Sequence, residues 1–255
     1  MPIHININNN NEYWIIIILL ITLLILSNYK KIQSMIIIIA LILFIIFIIL
    51  FAYKKHKISN IIDNINDNNY DVIIIDNFLS DKECDQLIEY SNKQNFVTSE
   101  TLGDYGSVTT DYRKSQQIWI TDDNTIANKI SNFCSSILNL PKKNMESLQL
   151  VRYDQSGYFK EHYDAEPDKT KKSNIIDRAH TFIVYLNDVK DGGGTEMVNL
   201  KLEIKPKKGM ALYFKTLTNS GDLLKKSLHQ GLPIISGEKY IVNKWIHLNE
   251  FKNTI

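Results

Sequence analysis

Two cysteines, five prolines and three tryptophans are all that these 255 residues hold of those types. Cys84 and Cys134 stand far apart and no C-x-x-C occurs, which excludes a thiolate zinc site. Two buried free thiols are the expectation, with a single disulfide as the alternative. An excess of one charge is also lacking: 29 Lys and Arg meet 28 Asp and Glu, for a net +1. Nothing in that balance steers the chain toward nucleic acid. A phosphate loop is missing too, since "DGGG" (191–194) precedes neither a helix signal nor G-K-[ST]. No internal repeat is found.

Long apolar runs are absent beyond residue 53 and dominate before it. "WIIIILLITLLIL" (14–26) has one polar member, Thr22, and "MIIIIALILFIIFIILFAY" (35–53) has no charge. A membrane-spanning helix needs roughly 20 apolar residues, so the second run reads as transmembrane. The first is short and spans only with bilayer thinning or help from Tyr13 and Ser27. No small-residue cleavage site follows it, which argues for retention over removal as a signal peptide. Lys30 and Lys31 lie between the runs; Lys54, Lys55 and Lys57 follow the second. The positive-inside rule wants both clusters cytoplasmic, and one helix between them cannot satisfy that. Residues 58–70, rich in Asn and Asp, read as a juxtamembrane linker. The expected organisation is an anchor at 1–57, the linker, and one soluble domain at 71–255.

Within that domain "DVIIIDNFL" (71–79) has the pattern of a buried strand. "SDKE" (80–83) matches a capping box and opens a helix through about Lys93. Apolar residues at 126, 130, 133, 137 and 140 predict an amphipathic helix within 121–140, stopped by Pro141. From 146 on, short strand-like runs alternate with Gly, Pro, Asn and Asp. The pattern predicts an α+β domain whose sheet packs under helices and closes into a sandwich or barrel.

In "GYFKEHYDAEPD" (157–168), His162 and Asp164 are two positions apart, a spacing that shares one face of a strand. With His229 they make two imidazoles and one carboxylate. Such a set leaves open positions on an octahedral metal, as in non-heme Fe(II) oxygenases. Pro233 and Gly237 mark a turn, so 227–231 and 238–247 read as a hairpin that returns Lys239 beside His229. A buried lysine needs an anion. A dicarboxylate chelating iron at one end would place its other end near Lys239, with Tyr153 donating a hydrogen bond to it. That is the recognition logic of 2-oxoglutarate. Taken singly, each of these residues has a plainer reading: a surface His–Asp pair, a core histidine, a strand-edge lysine. His180 reads as structural, and "KPKKGM" (205–210) as a solvated turn.

Four blocks in order carry a resemblance: "LQLVRYDQSGYFKEHYD", "RAHTFIVYLNDVKDGGGTEM", "IKPKKGMALYF" and "SLHQGLPIISGEKYIVNKWIH". Together they resemble the prolyl 4-hydroxylase group of 2-oxoglutarate/Fe(II) dioxygenases, over about 147–247 and more weakly from 71. The resemblance implies a double-stranded β-helix (jelly-roll) core, Fe(II), 2-oxoglutarate, O2 and L-ascorbate as the reductant that rescues oxidised iron. It makes His162, Asp164 and His229 the iron ligands. It pairs Lys239 with the far carboxylate of 2-oxoglutarate, helped by Tyr153 and Thr195. Arg178, Trp245 and His247 match positions that line the peptide groove. Two departures, "GGGTEMV" and "GLPI", bear on substrate shape. Two polar loops, 98–115 and 165–178, read as lids.

The implied activity is hydroxylation of peptidyl proline at C4 by a membrane-anchored enzyme, with the endoplasmic reticulum membrane as the family's habit. One alternative is a related hydroxylase acting on another residue or a small molecule. A non-catalytic membrane adaptor would have no need of His162, Asp164, His229 and Lys239. Dioxygenases that demethylate nucleic acids typically anchor 2-oxoglutarate with arginine and carry basic surfaces, unlike this chain.

Overall fold

The computed structural model describes residues 3–6, 18–22, 33–66, 72–99, 101–103, 106–108, 111–165 and 177–251. The chain divides into two compact units, Asn8–Asp67 and a second made of Met1–Ile7 with Asn68–Ile255.

In the first unit the described residues are helical. A short stretch at 18–22 is followed by α1 (Gln33–Asn66). α1 continues to residue 66, so most of the segment read as a linker is helix. Asn and Asp weaken a helix by tenths of a kcal/mol each, about 0.7 at most. Ile58, Ile61, Ile62 and Ile65 recur among them at near-helical spacing.

The second unit begins with β1 (Ile3–Asn6), β2 (Val72–Asp76) and α2 (Asp81–Asn92). Ser80 caps α2 as the sequence suggests: its Oγ accepts from Glu83 N, and its own N–H donates to Glu83 Oε2 at 2.9 Å. Then come β3 (Val97–Thr98), β4 (Thr101–Gly103), β5 (Gly106–Val108), β6 (Arg113–Lys114) and β7 (Gln116–Ile120). The loop at 98–115 thus carries short strands. The second loop read as a lid falls, at 166–176, outside the described residues.

α3 (Thr125–Leu138) starts at Asn124, whose Oδ1 accepts from the N–H groups of Ile126 and Ala127. It ends at Asn139, in the left-handed conformation (φ 52°), before Pro141. The remaining strands are β8 (Leu148–Tyr153), β9 (Tyr158–His162), β10 (Arg178–Tyr185), β11 (Asp191–Gly192) and β12 (Thr195–Met197). They continue with β13 (Leu202–Ile204), β14 (Ala211–Lys215), β15 (His229–Gly231), β16 (Ile234–Ser236) and β17 (Lys239–His247).

A major sheet has the order β1-β2-β14-β10-β17-β8-β7-β3, and a minor sheet the order β13-β12-β15-β9-β6. Between them lies a core that includes Val72, Val151, Ile183, Met197, Leu212, Phe214 and Ile241. The other face of the major sheet is helical territory. Phe133 of α3, Phe182 of β10 and Phe78 form an aromatic cluster with centroids 4.8–5.7 Å apart. Phe78 and Phe182, both buried, each contribute about 1.5–3 kcal/mol by that burial.

The hairpin read between 227–231 and 238–247 is not formed. β15 pairs with β9 and β12 in the minor sheet, while β17 pairs with β8 and β10 in the major sheet. The intervening β16 turns away to pair with β11. Lys239 and His229 therefore belong to different sheets rather than to neighbouring strands. Cys84 and Cys134 are both fully buried and free.

Candidate functional site

One pocket is lined by Tyr153, Phe159, His162, Asp164, Thr195, His229, Lys239, Asn243 and Trp245, among others. Both sheets feed it. β9 and β15 lay His162 and His229 opposite each other in register. β17 alternates, so Lys239, Ile241, Asn243 and Trp245 all reach the pocket from one face.

His162 closes β9 and Asp164 lies just beyond the strand end, so the two do not share a strand face as the spacing suggested. They converge nonetheless. The ligand-capable atoms of His162, Asp164 and His229 all lie within 4.8 Å of one another. His162 Nε2 is 3.7 Å from Asp164 Oδ1, and His229 Nε2 is 3.7 Å from Asp164 Oδ2.

The other nitrogen of each ring is occupied. His162 Nδ1 meets the Lys160 carbonyl at 2.7 Å, and His229 Nδ1 the Ser227 carbonyl at 2.9 Å. A carbonyl only accepts, so each Nδ1 carries a proton, and Nε2 is the nitrogen left to face Asp164 and a metal. Thr181 Oγ1 donates to Asp164 Oδ2 at 2.6 Å, which orients the carboxylate. Burial pushes the Asp164 carboxyl upward, but His229, His162, Arg178 and the Thr181 hydroxyl outweigh it, and its pKa lies below the ordinary value. Burial, then the neighbouring His229, push His162 down to about 3. The trio is two imidazoles and an anionic carboxylate, a donor set suited to Fe(II).

Lys239 is 3 % exposed. Its Nζ donates to the Gly193 carbonyl at 2.7 Å and sits 5.6 Å from the Tyr153 ring centroid and 5.5 Å from that of Tyr185. No carboxylate pairs with it among the described residues, and burial alone pulls its pKa down to about 7. An ammonium in such a place lacks a counter-ion, which a dicarboxylate would supply. Tyr153 is its Cα partner across β8 and β17. Thr195 also lines the pocket and accepts a hydrogen bond from Tyr185 Oη at 2.8 Å. The glycines of "DGGG" serve this corner. Gly193 has φ +69°, and a Cβ there would come within 2.5 Å of Ile234 Cδ1.

The three residues matched to a peptide groove are placed differently from one another. Trp245 lines the pocket. Arg178 stacks its guanidinium 3.7 Å from the Trp245 ring centroid and grips both oxygens of Glu146. His247 bridges Glu146, at 2.8 Å, and Asp177. Glu146 was not singled out from the sequence, and no motif marks it. Burial raises its pKa, Arg178 and His247 lower it further, and the net value is below the ordinary one. Asn243 was missed as well. It donates to Gln149 at 3.0 Å, and Gln149 to Gln117 at 2.6 Å, a buried amide chain across three strands. Strand alternation from Lys239 could have found it. His180 is structural, bonded through Nδ1 to Tyr213 Oη at 2.9 Å.

Similarity to known proteins shows the family. A family model described as the 2OG-Fe(II) oxygenase superfamily matches residues 148–247. A putative prolyl 4-hydroxylase of Acanthamoeba polyphaga mimivirus is 34% identical over 195 residues, covering 74% of this chain and 78% of its own. Prolyl 4-hydroxylase 2 of Arabidopsis thaliana is 32% identical over 202 residues, covering 70% and 67%. Among solved structures, the viral collagen prolyl hydroxylase vCPH of Paramecium bursaria Chlorella virus-1, in its 2OG complex, superposes with a TM-score of 0.59 at 32% identity. That match covers 71% of this chain and 98% of the viral enzyme. The jelly-roll expectation and the mixed helix-and-sheet architecture stand on these matches. The chain belongs to the prolyl 4-hydroxylase family of 2-oxoglutarate/Fe(II)-dependent dioxygenases.

Proposed function

We propose that this dioxygenase hydroxylates peptidyl proline at C4, consuming 2-oxoglutarate and O2 and releasing succinate and CO2. The observation that carries the reading is a single pocket that holds the His162, Asp164 and His229 donors together with the buried, counter-ion-free Lys239. The prolyl hydroxylases of mimivirus, Arabidopsis and the Chlorella virus support the choice of substrate.

In this reading His162, Asp164 and His229 hold Fe(II), which when bound couples decarboxylation of 2-oxoglutarate to the activation of O2. Lys239 pairs with the far carboxylate of 2-oxoglutarate, with Tyr153 and Thr195 alongside. Ile183 and Ile241 wall the pocket and keep its interior poor in water. Trp245 forms part of the wall against which a proline ring packs. Arg178, stacked directly on Trp245, and His247, joined to Arg178 through Glu146, hold that wall in position. L-Ascorbate serves as the reductant that restores ferrous iron after uncoupled turnover. The apolar segment Ile36–Tyr53 anchors the enzyme in a membrane, with the endoplasmic reticulum as the proposed site.

The test is incubation of the full chain, in detergent, with Fe(II), 2-oxoglutarate, ascorbate and proline-rich peptides. Succinate release with a gain of one oxygen on proline is expected. Succinate without that gain would move the substrate to another residue or a small molecule, and release of neither product would overturn the enzymatic reading.

A further inference from the structure

We propose that the membrane part of this protein is a hairpin that crosses the bilayer twice, with residues 14–26 and 35–53 as its two arms. The amino terminus and the catalytic unit then share one side of the membrane. The proposal rests on the reading that Ile36–Tyr53 sits in a bilayer, and is independent of what the enzyme hydroxylates.

The described part of α1 is unlike a helix of a soluble core. Its segment Ile36–Tyr53 has a mean hydropathy of 3.5 and is only 6% buried. Ile38, Leu41, Ile45 and Ile49 are each at least 50 % exposed, and so is Phe44. A helix that is apolar all round needs hydrocarbon all round. Its 18 residues rise about 27 Å at 1.5 Å each, close to the ~30 Å thickness of a bilayer core.

One crossing would put everything before residue 36 opposite everything after residue 53. The strand pairing forbids it. β1 lies against β2 in parallel, with Ile3 beside Ile73, His4 beside Ile74, Ile5 beside Ile75 and Asn6 beside Asp76. It belongs to the same compact unit as the catalytic residues. Paired strands run ~4.8 Å apart, and no membrane fits between them. The chain from Asn6 to Val72 must therefore cross an even number of times.

The pairing also has a physical motive. Val72–Ile75 is fully buried, and the outer edge of β2 would otherwise show a row of unpaired amides and carbonyls. β1 is the strand that covers this edge, and it makes the only parallel pair among the described strands.

Between Asn6 and Val72 the sequence offers one other apolar run, 14–26. Its described residues, 18–22, are helical, with Ile18, Leu19 and Ile21 exposed. The run's one polar side chain is already satisfied: Thr22 Oγ1 donates to the Ile18 carbonyl at 2.8 Å. That is the way a hydroxyl is tolerated in lipid. As a helix, thirteen residues span only ~20 Å. Bilayer thinning closes the gap. The hairpin leaves Lys30 and Lys31 on one side and Lys54, Lys55 and Lys57 on the other, which explains why counting lysines did not fix an orientation.

The test uses the full chain in sealed membrane vesicles. Single cysteines are introduced as Asn9→Cys, Asn28→Cys and Asn253→Cys and probed with a membrane-impermeant maleimide. Cys84 and Cys134 are fully buried, so the parent chain provides the unlabelled control. The positions 9 and 253 are expected to behave alike, both labelled or both protected, with 28 the reverse. Opposite behaviour of 9 and 253 would mean a single crossing and overturn the proposal. Identical behaviour of all three would remove both crossings and overturn it equally. Release of the chain by alkaline carbonate would sink the membrane reading itself, separately from the parity argument.

Discussion

His162 and His229 are far apart in the chain yet are cross-strand partners, with ring centroids 4.2 Å apart. Each ring is tethered by its Nδ1 to the carbonyl two residues upstream, so both Nε2 atoms are aimed before any metal arrives. His229→Ala or Asp164→Ala should abolish both Fe(II) retention and succinate release, with the metal measured directly after dialysis. Thr181→Val tests the support beneath. It keeps the volume but removes the hydrogen bond to Asp164, and Fe(II) affinity should fall about 10–100-fold.

Lys239 should make co-substrate binding depend on pH. Its pKa of about 7, set by burial, is that of the pocket without 2-oxoglutarate. A bound carboxylate favours the ammonium and raises that value, so binding above pH 7 takes up a proton. Affinity for 2-oxoglutarate should then drop by up to about tenfold per pH unit above 7. Calorimetry in buffers of different ionisation enthalpy reads the proton directly. Lys239→Ala should cost about 2–5 kcal/mol of binding, a KM at least ~30-fold higher, and erase the proton uptake.

Gly193→Ala should injure the same binding step from a distance. The new Cβ meets Ile234 Cδ1 at 2.5 Å, on a backbone with φ +69°. The strain is roughly 1–3 kcal/mol, and its relief displaces the carbonyl that holds Lys239 Nζ. The expected result is a raised KM for 2-oxoglutarate with iron affinity unchanged. Weaker iron binding would show that the corner is not separable from the metal ligands.

Glu146 should matter for stability first. Glu146→Ala strands a largely buried Arg178 and should cost about 3–5 kcal/mol, read by chemical denaturation. The wild-type carboxyl has a folded pKa below its unfolded one. Its contribution is full above the ordinary carboxylate range and disappears as pH falls through the folded value. Glu146→Gln should therefore flatten the acid limb of the stability profile.

Much of this site was legible because its signals are local. H-x-D sits at a strand end, Ser80 and Glu83 form the capping box that "SDKE" spells, and α3 follows its apolar period. What failed was partnership. Two short strands separated by Pro and Gly look the same whether they pair with each other or split between sheets, so β15 and β17 were read as a hairpin. Glu146 has no motif because its role comes from Arg178 and His247, which meet it only in the fold. Ile3–Asn6 is too short to announce itself as a strand, and its partner lies beyond two apolar runs.

The indole pair Trp245 and Trp119 gives the enzyme a reporter of its own. Trp245 lines the pocket with its indole N–H buried and unbonded, and Trp119, half exposed, lies 6.1 Å away. The one other indole, Trp14, belongs to the first apolar run. A peptide that settles beside Trp245 changes the polarity around both of these rings, so intrinsic fluorescence should follow occupancy in real time, without a label and before any product forms.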